Sequence, residues 1–141
     1  MSQKQYLTAF IHNSASIRDV VGEDITDAPH KAVAYNEDGK LVLPAADGDP
    51  AVGVVLSDAA GYDTGAALVT KAGMELDVLI KDIGLVEAGE AIAKGDLLTA
   101  SAAGTVQKAV SGNFIFGVAM TAAQEAGELV QIQITKSGYQ K

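Results

Sequence analysis

The chain has 141 residues, the length of one ordinary domain, and a compact chain of that size buries roughly 70% of its unfolded surface without needing staples. With 48% hydrophobic and 20% charged residues it reads as globular rather than disordered. Eighteen acids against ten bases, a net charge of −8 and a pI near 4.5, exclude the basic footprint needed to bind nucleic acid or dock on an anionic membrane.

Residues 1–21, MSQKQYLTAFIHNSASIRDVV, contain no glycine and no proline. Tyr6, Leu7, Phe10, Ile11, Ile17, Val20 and Val21 fit no sustained period. Two readings stand: an extended arm with a short helical turn near Ser16–Val21, or an ordinary first strand and loop. The extended arm is the expectation. The segment lacks the unbroken apolar stretch of a signal peptide. No apolar run reaches the roughly 18 residues that a membrane span needs. The expectation is a soluble cytoplasmic protein.

From Gly22 onward, short apolar runs alternate with turn residues. Asp38-Gly39 lies between Ala32–Tyr35 and Lys40–Leu43, a strong hairpin signal because both residues tolerate positive φ. Ala103-Gly104 lies similarly between Leu97–Thr99 and Thr105-Val106. Gly53–Leu56 and Gly117–Met120 read as short buried strands. Glu75–Lys81 and Leu129–Thr135 alternate polar and apolar, the period-two pattern of half-buried strands. Thr121–Gly127 reads as a helical turn or a loop. Pro44 and Pro50 flank a loop, where proline removes no ladder hydrogen bond.

An internal repeat organises these pieces. Gly22-Glu23-Asp24-Ile25 and Gly89-Glu90-Ala91-Ile92 share Gly-Glu-x-Ile. Each copy then reaches a hairpin glycine, Gly39 or Gly104, and a Gly-Val pair, Gly53-Val54 or Gly117-Val118. A small-residue stretch follows, and each copy closes on a glycine that opens a strand, Gly65 or Gly127. The offsets are 67, 65, 64 and 62 residues, so the first copy carries short insertions, placed around Ala28-Pro29 and Ala46–Asp49. Neither unit has enough apolar surface to fold alone. Together they close one small barrel or sandwich, with Met74–Val86 bridging them. The expected organisation is an arm over residues 1–21 and a β domain over 22–141, with pseudo-repeats over about 22–73 and 89–138.

Groups that do chemistry are scarce. There is no cysteine, hence no disulfide, thiolate zinc site or cysteine nucleophile. The two histidines, His12 and His30, have no metal-ligand partner at helical spacing and read as exposed or capping residues. Asp47-Gly48-Asp49 resembles a calcium-loop fragment, but Pro50-Ala51-Val52 ends the pattern, leaving a solvated turn. Ser57, Ser101 and Thr121 have no fixed base. No phosphate loop, dinucleotide fingerprint or nucleophile elbow occurs. Nothing selects a catalytic pair among the 18 acids. Lys94 lies in a Lys-Gly-Asp turn similar to the hairpins of biotinyl and lipoyl carriers. It lacks the flanking methionines of the former and the Asp-Lys-Ala pattern of the latter. No catalytic, cofactor-binding or metal-binding residue is assigned, and no cofactor is expected.

The run Ala88–Thr99, then Gly104, Gly117–Met120 and Ala126–Ile132, resembles the tailed-phage capsid cement, or head decoration, proteins. The resemblance spans roughly residues 30–138 and is clearest over 84–134. It implies a structural, non-enzymatic virion protein that binds the outer surface of an expanded capsid and clamps neighbouring major capsid protein subunits. It further implies a homotrimer at three-fold or quasi-three-fold sites, or free monomers that trimerise only on the shell, made in the host cytoplasm; the acidic charge leaves no nucleic acid or membrane partner expected. Tyr6, Leu7, Phe10 and Ile11 on the arm are the candidate capsid-binding residues. The alternatives are another virion component such as a tail or baseplate β module, a small-ligand barrel or enzyme, and a carrier domain. The expected fold is all-β: a compact β-sandwich or small, β-tulip-like barrel of two pseudo-repeated hairpin units with an extended N-terminal arm.

Overall fold

The computed structural model describes residues 14–56, 62–63 and 68–141. Among them there is no helix, and the fold is all-β. The first half supplies β1 (Ser16–Val20), β2 (Ile25–Thr26), β3 (Ala32–Tyr35), β4 (Leu41–Val42), β5 (Gly53–Val55), β6 (Tyr62–Asp63), β7 (Leu68–Thr70) and β8 (Glu75–Leu79). The second supplies β9 (Asp82–Glu87), β10 (Leu97–Ala100), β11 (Val106–Lys108), β12 (Gly117–Ala119) and β13 (Leu129–Ile134).

Two five-stranded sheets have the orders β1-β8-β5-β3-β4 and β9-β13-β12-β10-β11. Strand for strand these are one pattern used twice. The match extends to single hydrogen bonds. Gly22 N–H donates to the Leu41 carbonyl and Gly89 N–H to the Val106 carbonyl, each at 2.8 Å. Gly73 donates to Val21 and Gly127 to Ala88, again at 2.8 Å.

The recurring Gly-Glu-x-Ile motif has a physical cause in each of its residues. A Cβ at Gly22 would crowd Asn36 and Lys40, and one at Gly89 would crowd Thr105. The carboxylates of Glu23 and Glu90 accept from the backbone N–H of Leu43 and Lys108, at 2.9 and 2.8 Å, beside the outermost strand of each sheet. Ile25 and Ile92 are buried, each in its own core cluster.

The hairpins form where Asp38-Gly39 and Ala103-Gly104 place them, with φ of 73° at Gly39 and 81° at Gly104. The spacing of equivalent residues falls from 67 at Gly22/Gly89 to 65 at Gly39/Gly104 and 64 at Gly53/Gly117. Those steps agree with small insertions near Ala28-Pro29 and Ala46–Asp49. The last correspondence expected falls on Gly65, which lies outside the described residues. Among those residues Gly127 matches Gly73, 54 positions earlier, because both glycines precede the strand (β8 or β13) that pairs with β5 or β12. The first repeat is therefore longer between Gly53 and Gly73, and β6 and β7 lie there, forming with β2 a separate three-stranded sheet. In the second repeat that sheet shrinks to one bridge, Ile92 to Ala123.

Two further expectations are revised. Ser16–Val20 is a strand rather than a helical turn, paired antiparallel along its length with β8. The described end of the expected arm is thus part of the first sheet. Met74–Val86 does more than bridge: it supplies β8 to one sheet and β9 to the other. Thr121–Gly127 is a loop.

The sheets stack, and β5 shows how. Val54 belongs to one core cluster with Leu98, Phe116, Val86 and Ile132; its neighbour Val55 belongs to the other with Val33, Leu41, Leu76 and Val78. The first sheet is therefore buried on both faces at its centre. Its outward residues Ala32, Val54 and Leu79 pack on the inward side of the second sheet. Gly84 makes room: a Cβ there would collide with the Leu79 side chain.

Candidate interaction surface

The seam between the repeats is polar at its rim. His30, with φ 68°, donates its N–H to the Val55 carbonyl at 2.9 Å and accepts at its own carbonyl from Glu87 N–H at 3.0 Å. Its Nδ1 lies 3.3 Å from the Leu85 carbonyl oxygen, a position suited to the tautomer protonated at Nδ1. Lys31 forms an ion pair with Glu87. Asp47, read as part of a solvated turn, instead accepts from Ala102 N–H at 2.8 Å across the seam, and Gly48 N–H donates to the Ala100 carbonyl at 2.9 Å. These groups join the two repeats.

Two concavities are found among the described residues, one at the seam and one within the first repeat. One, of about 150 Å³, is lined by His30, Val54, Leu79 and Leu85 among others, below the roughly 300 Å³ at which small-molecule sites begin. The other, of about 410 Å³, lies beside Tyr35, Glu37 and Asp49. Tyr35 Oη–H donates to Asp19 at 2.8 Å. Burial first, then that carboxylate, pushes the phenol up to about 12. Among the described residues no group of three or more His, Asp or Glu is placed to hold a metal ion. Ser101 bonds Thr105 at 2.8 Å, and Lys94 is exposed on a turn closed by Ala93 and Asp96.

The feature that stands out is a face. On the second sheet the outward side chains run, in register, Leu97–Val118–Gln133–Ile83, then Gln131–Leu85, then Leu129–Glu87. Ile83, Leu85, Leu97 and Leu129 are 52%, 44%, 39% and 45% exposed. The one charged member, Glu87, is neutralised by Lys31. Equivalent rows of the first sheet are Ala32–Val54–Leu79–Ser16, Asp77–Arg18 and Glu75–Val20. There the apolar part is buried against the second repeat, and the remainder carries ion pairs from Arg18 to Asp77 at 3.0 Å and to Glu75 at 3.7 Å. The same face is covered or charged in one repeat, and bare and neutral in the other. A second apolar spot lies at Val110 and Tyr139, each 62% exposed, where Tyr139 meets Phe114 edge-on at 5.5 Å.

Tyr6, Leu7, Phe10, Ile11 and His12 lie outside the described residues. The outward face of the second sheet was missed, though signals existed. Gln131 and Gln133 stand where a solvated strand of an acidic chain usually places charges, and Asp82–Glu87 carries Ile83 and Leu85 on one face and Val86 on the other. Strands apolar on both faces are normally covered on both.

The described fold is similar to the crystal structure of the head fiber gp8.5 N base of bacteriophage phi29. The TM-score is 0.62 at 22% identity, covering 89% of this chain and 98% of that one. No individually curated protein matches the chain. The family described as XM1 gp53 minor capsid protein matches residues 10–134. With nearly its whole length matched, the chain belongs to the XM1 gp53 minor capsid protein family and is a phage capsid-associated structural protein.

Proposed function

We propose that the protein sits on the outer surface of the expanded phage head and stabilises it by clamping neighbouring major capsid protein subunits, as a trimer at three-fold or quasi-three-fold positions. Membership of a minor capsid protein family over residues 10–134 is the observation that carries this reading. The likeness to a head-fiber base supports the exterior placement. A net charge of −8 suits the outside of a shell better than the side facing packaged DNA. Many copies on one shell turn modest single contacts into strong retention. The protein works by contact rather than by catalysis, and it is made in the host cytoplasm before it joins the head. Tyr6, Leu7, Phe10 and Ile11 provide an apolar capsid contact, with an extended segment able to add a strand to a capsid protein's sheet edge.

The test is co-sedimentation with expanded, undecorated heads and with unexpanded proheads. Saturable binding to expanded heads alone is expected. No binding to either, with a discrete soluble oligomer, moves the protein to a tail or baseplate role. A chain lacking residues 1–13 tests the arm; the cut must stop before Ser16, where β1 begins. Full head binding by that chain overturns the arm's role.

A further inference from the structure

We infer that the outward face of the second sheet, around Ile83, Leu85, Val118 and Leu129, is the surface on which a second copy of this chain docks. The inference rests on the reading of the protein as a homo-oligomeric head component and names the surface that builds the oligomer.

Three observations carry it. First, the equivalent face of the first repeat, at Ala32, Val54 and Leu79, is already buried against another unit of the same β pattern. The chain itself shows that a sheet of this pattern can be covered at this face by another unit. Second, the stack is closed at one end only. Ile25 and Ala28 cover the inward face of the first sheet beside the extra β2-β7-β6 sheet. Nothing among the described residues covers the outward face of the second. Stacked repeats end on polar caps, and an apolar end calls for another unit. Third, two copies each carry −8 and repel unless they meet where charge is absent. This face is such a place: its one acid is neutralised within the chain, and Gln131 and Gln133 supply amides that both donate and accept, so each can bond its counterpart. A partner recognised by charge would find no charge here to read.

The test is light scattering on the full chain, with head co-sedimentation as a separate arm. The wild type is expected at three times the single-chain mass of 14.4 kDa. The double variant Ile83→Lys/Leu129→Lys changes two exposed side chains and is expected to fall to the single-chain mass with an unchanged β-sheet circular dichroism spectrum. Val110→Lys, exposed but off this face, is expected to keep the oligomer. Should the double variant lose its β signature, Leu85→Gln is read instead, with several-fold weaker self-association expected. A wild type that stays a single chain at every concentration overturns the inference, as does a folded double variant that stays oligomeric. A single-chain wild type whose head binding is lost in the double variant assigns the face to the capsid and overturns self-docking while leaving the proposed function standing. An oligomer that the double variant dissolves, but that never sediments with heads, supports the docking face and overturns the proposed function.

Discussion

Val54 and Val118 hold the same place in two copies of one five-stranded pattern, yet Val54 is 1% exposed and Val118 only half-buried. The difference runs through both repeats. Where the first has Leu79 against the neighbouring sheet, the second has an exposed Gln133. Where the first pairs Tyr35 with Asp19, the second packs Ala100 and Val86, both 0% exposed. Position in a strand pattern fixes where a side chain points. What it meets there depends on which unit lies alongside, and that sets how much each residue contributes to stability.

The comparison can be pressed hardest at the paired glycines. A Cβ at Gly53 would collide with the Leu79 carbonyl oxygen, and one at Gly117 with that of Gln133. Overpacking of this kind costs about 1–3 kcal/mol. Gly53→Ala should fall near the top of that range and Gly117→Ala near the bottom, since β5 is held on both faces and β12 on one. Urea unfolding of the two variants measures it, and equal costs would show that the open face gives no relief.

Exchanging Leu79 and Gln133 tests the stacking itself. Leu79→Gln removes an apolar side chain from the seam and should cost about 2 kcal/mol. Gln133→Leu should change stability by less than about 0.5 kcal/mol, as most surface changes do, while enlarging the bare face. A Leu79→Gln variant as stable as wild type would mean that the sheets do not rely on this contact.

The turn glycines give a smaller contrast. Both have positive φ, which asparagine tolerates better than most residues. Gly39 has open space around its missing Cβ; Gly104 faces Leu43, Lys31 and the Ala32 carbonyl at 2.8–3.3 Å. Gly39→Asn should cost a few tenths of a kcal/mol and Gly104→Asn about 1–2 kcal/mol by thermal unfolding. Equal shifts would place the second hairpin off the seam.

The smallest expected effect concerns Tyr35. Its folded-state phenol titrates at about 12 against an ordinary 10, so the folded state holds the proton more tightly than the unfolded chain. Its contribution is complete below about pH 10 and is lost as pH rises toward 12. Tyrosinate absorbance should include a late step from Tyr35. Tyr35→Phe should remove that late step and cost about 0.5 kcal/mol or less near neutral pH, because the hydrogen bond is solvent-exposed. A late step that survives Tyr35→Phe belongs to another tyrosine.

Much of the fold was legible locally. Leu129–Ile134 alternates outward and inward in the structure as its sequence alternates, and Asp38-Gly39 makes its hairpin because the turn needs residues that accept positive φ. The Gly-Glu-x-Ile motif was visible as a repeat before its cause was. Its glutamate serves a backbone N–H twenty residues away in one copy and eighteen in the other, a partner that no local pattern names. β1 was obscured because Ser16–Val20 places Arg18 outward for ion pairs and keeps Asp19 partly inward for Tyr35, which breaks the alternation that marks a strand. Of the interaction surface, only the neutral glutamines and the doubly apolar β9 were legible. The arm residues singled out lie outside the described residues.

The sequence by itself determined the all-β class, the twofold use of one strand pattern and the near-absence of chemical groups, because periodicity, turn glycines and composition act over a few neighbouring residues. The tertiary structure alone decided that the first sheet is buried on both faces and the second on one. Val54 and Val118 each follow a glycine at the same place in their strands; the second sheet stacks on one of them and leaves the other at the surface. That choice is made by contacts between residues far apart in the chain, such as Leu79 filling the space left at Gly84 and Ala32 donating to the Gly104 carbonyl. Apolar burial is non-directional and proportional to area, so a strand pattern states how much surface must be covered and leaves the covering unit to the fold.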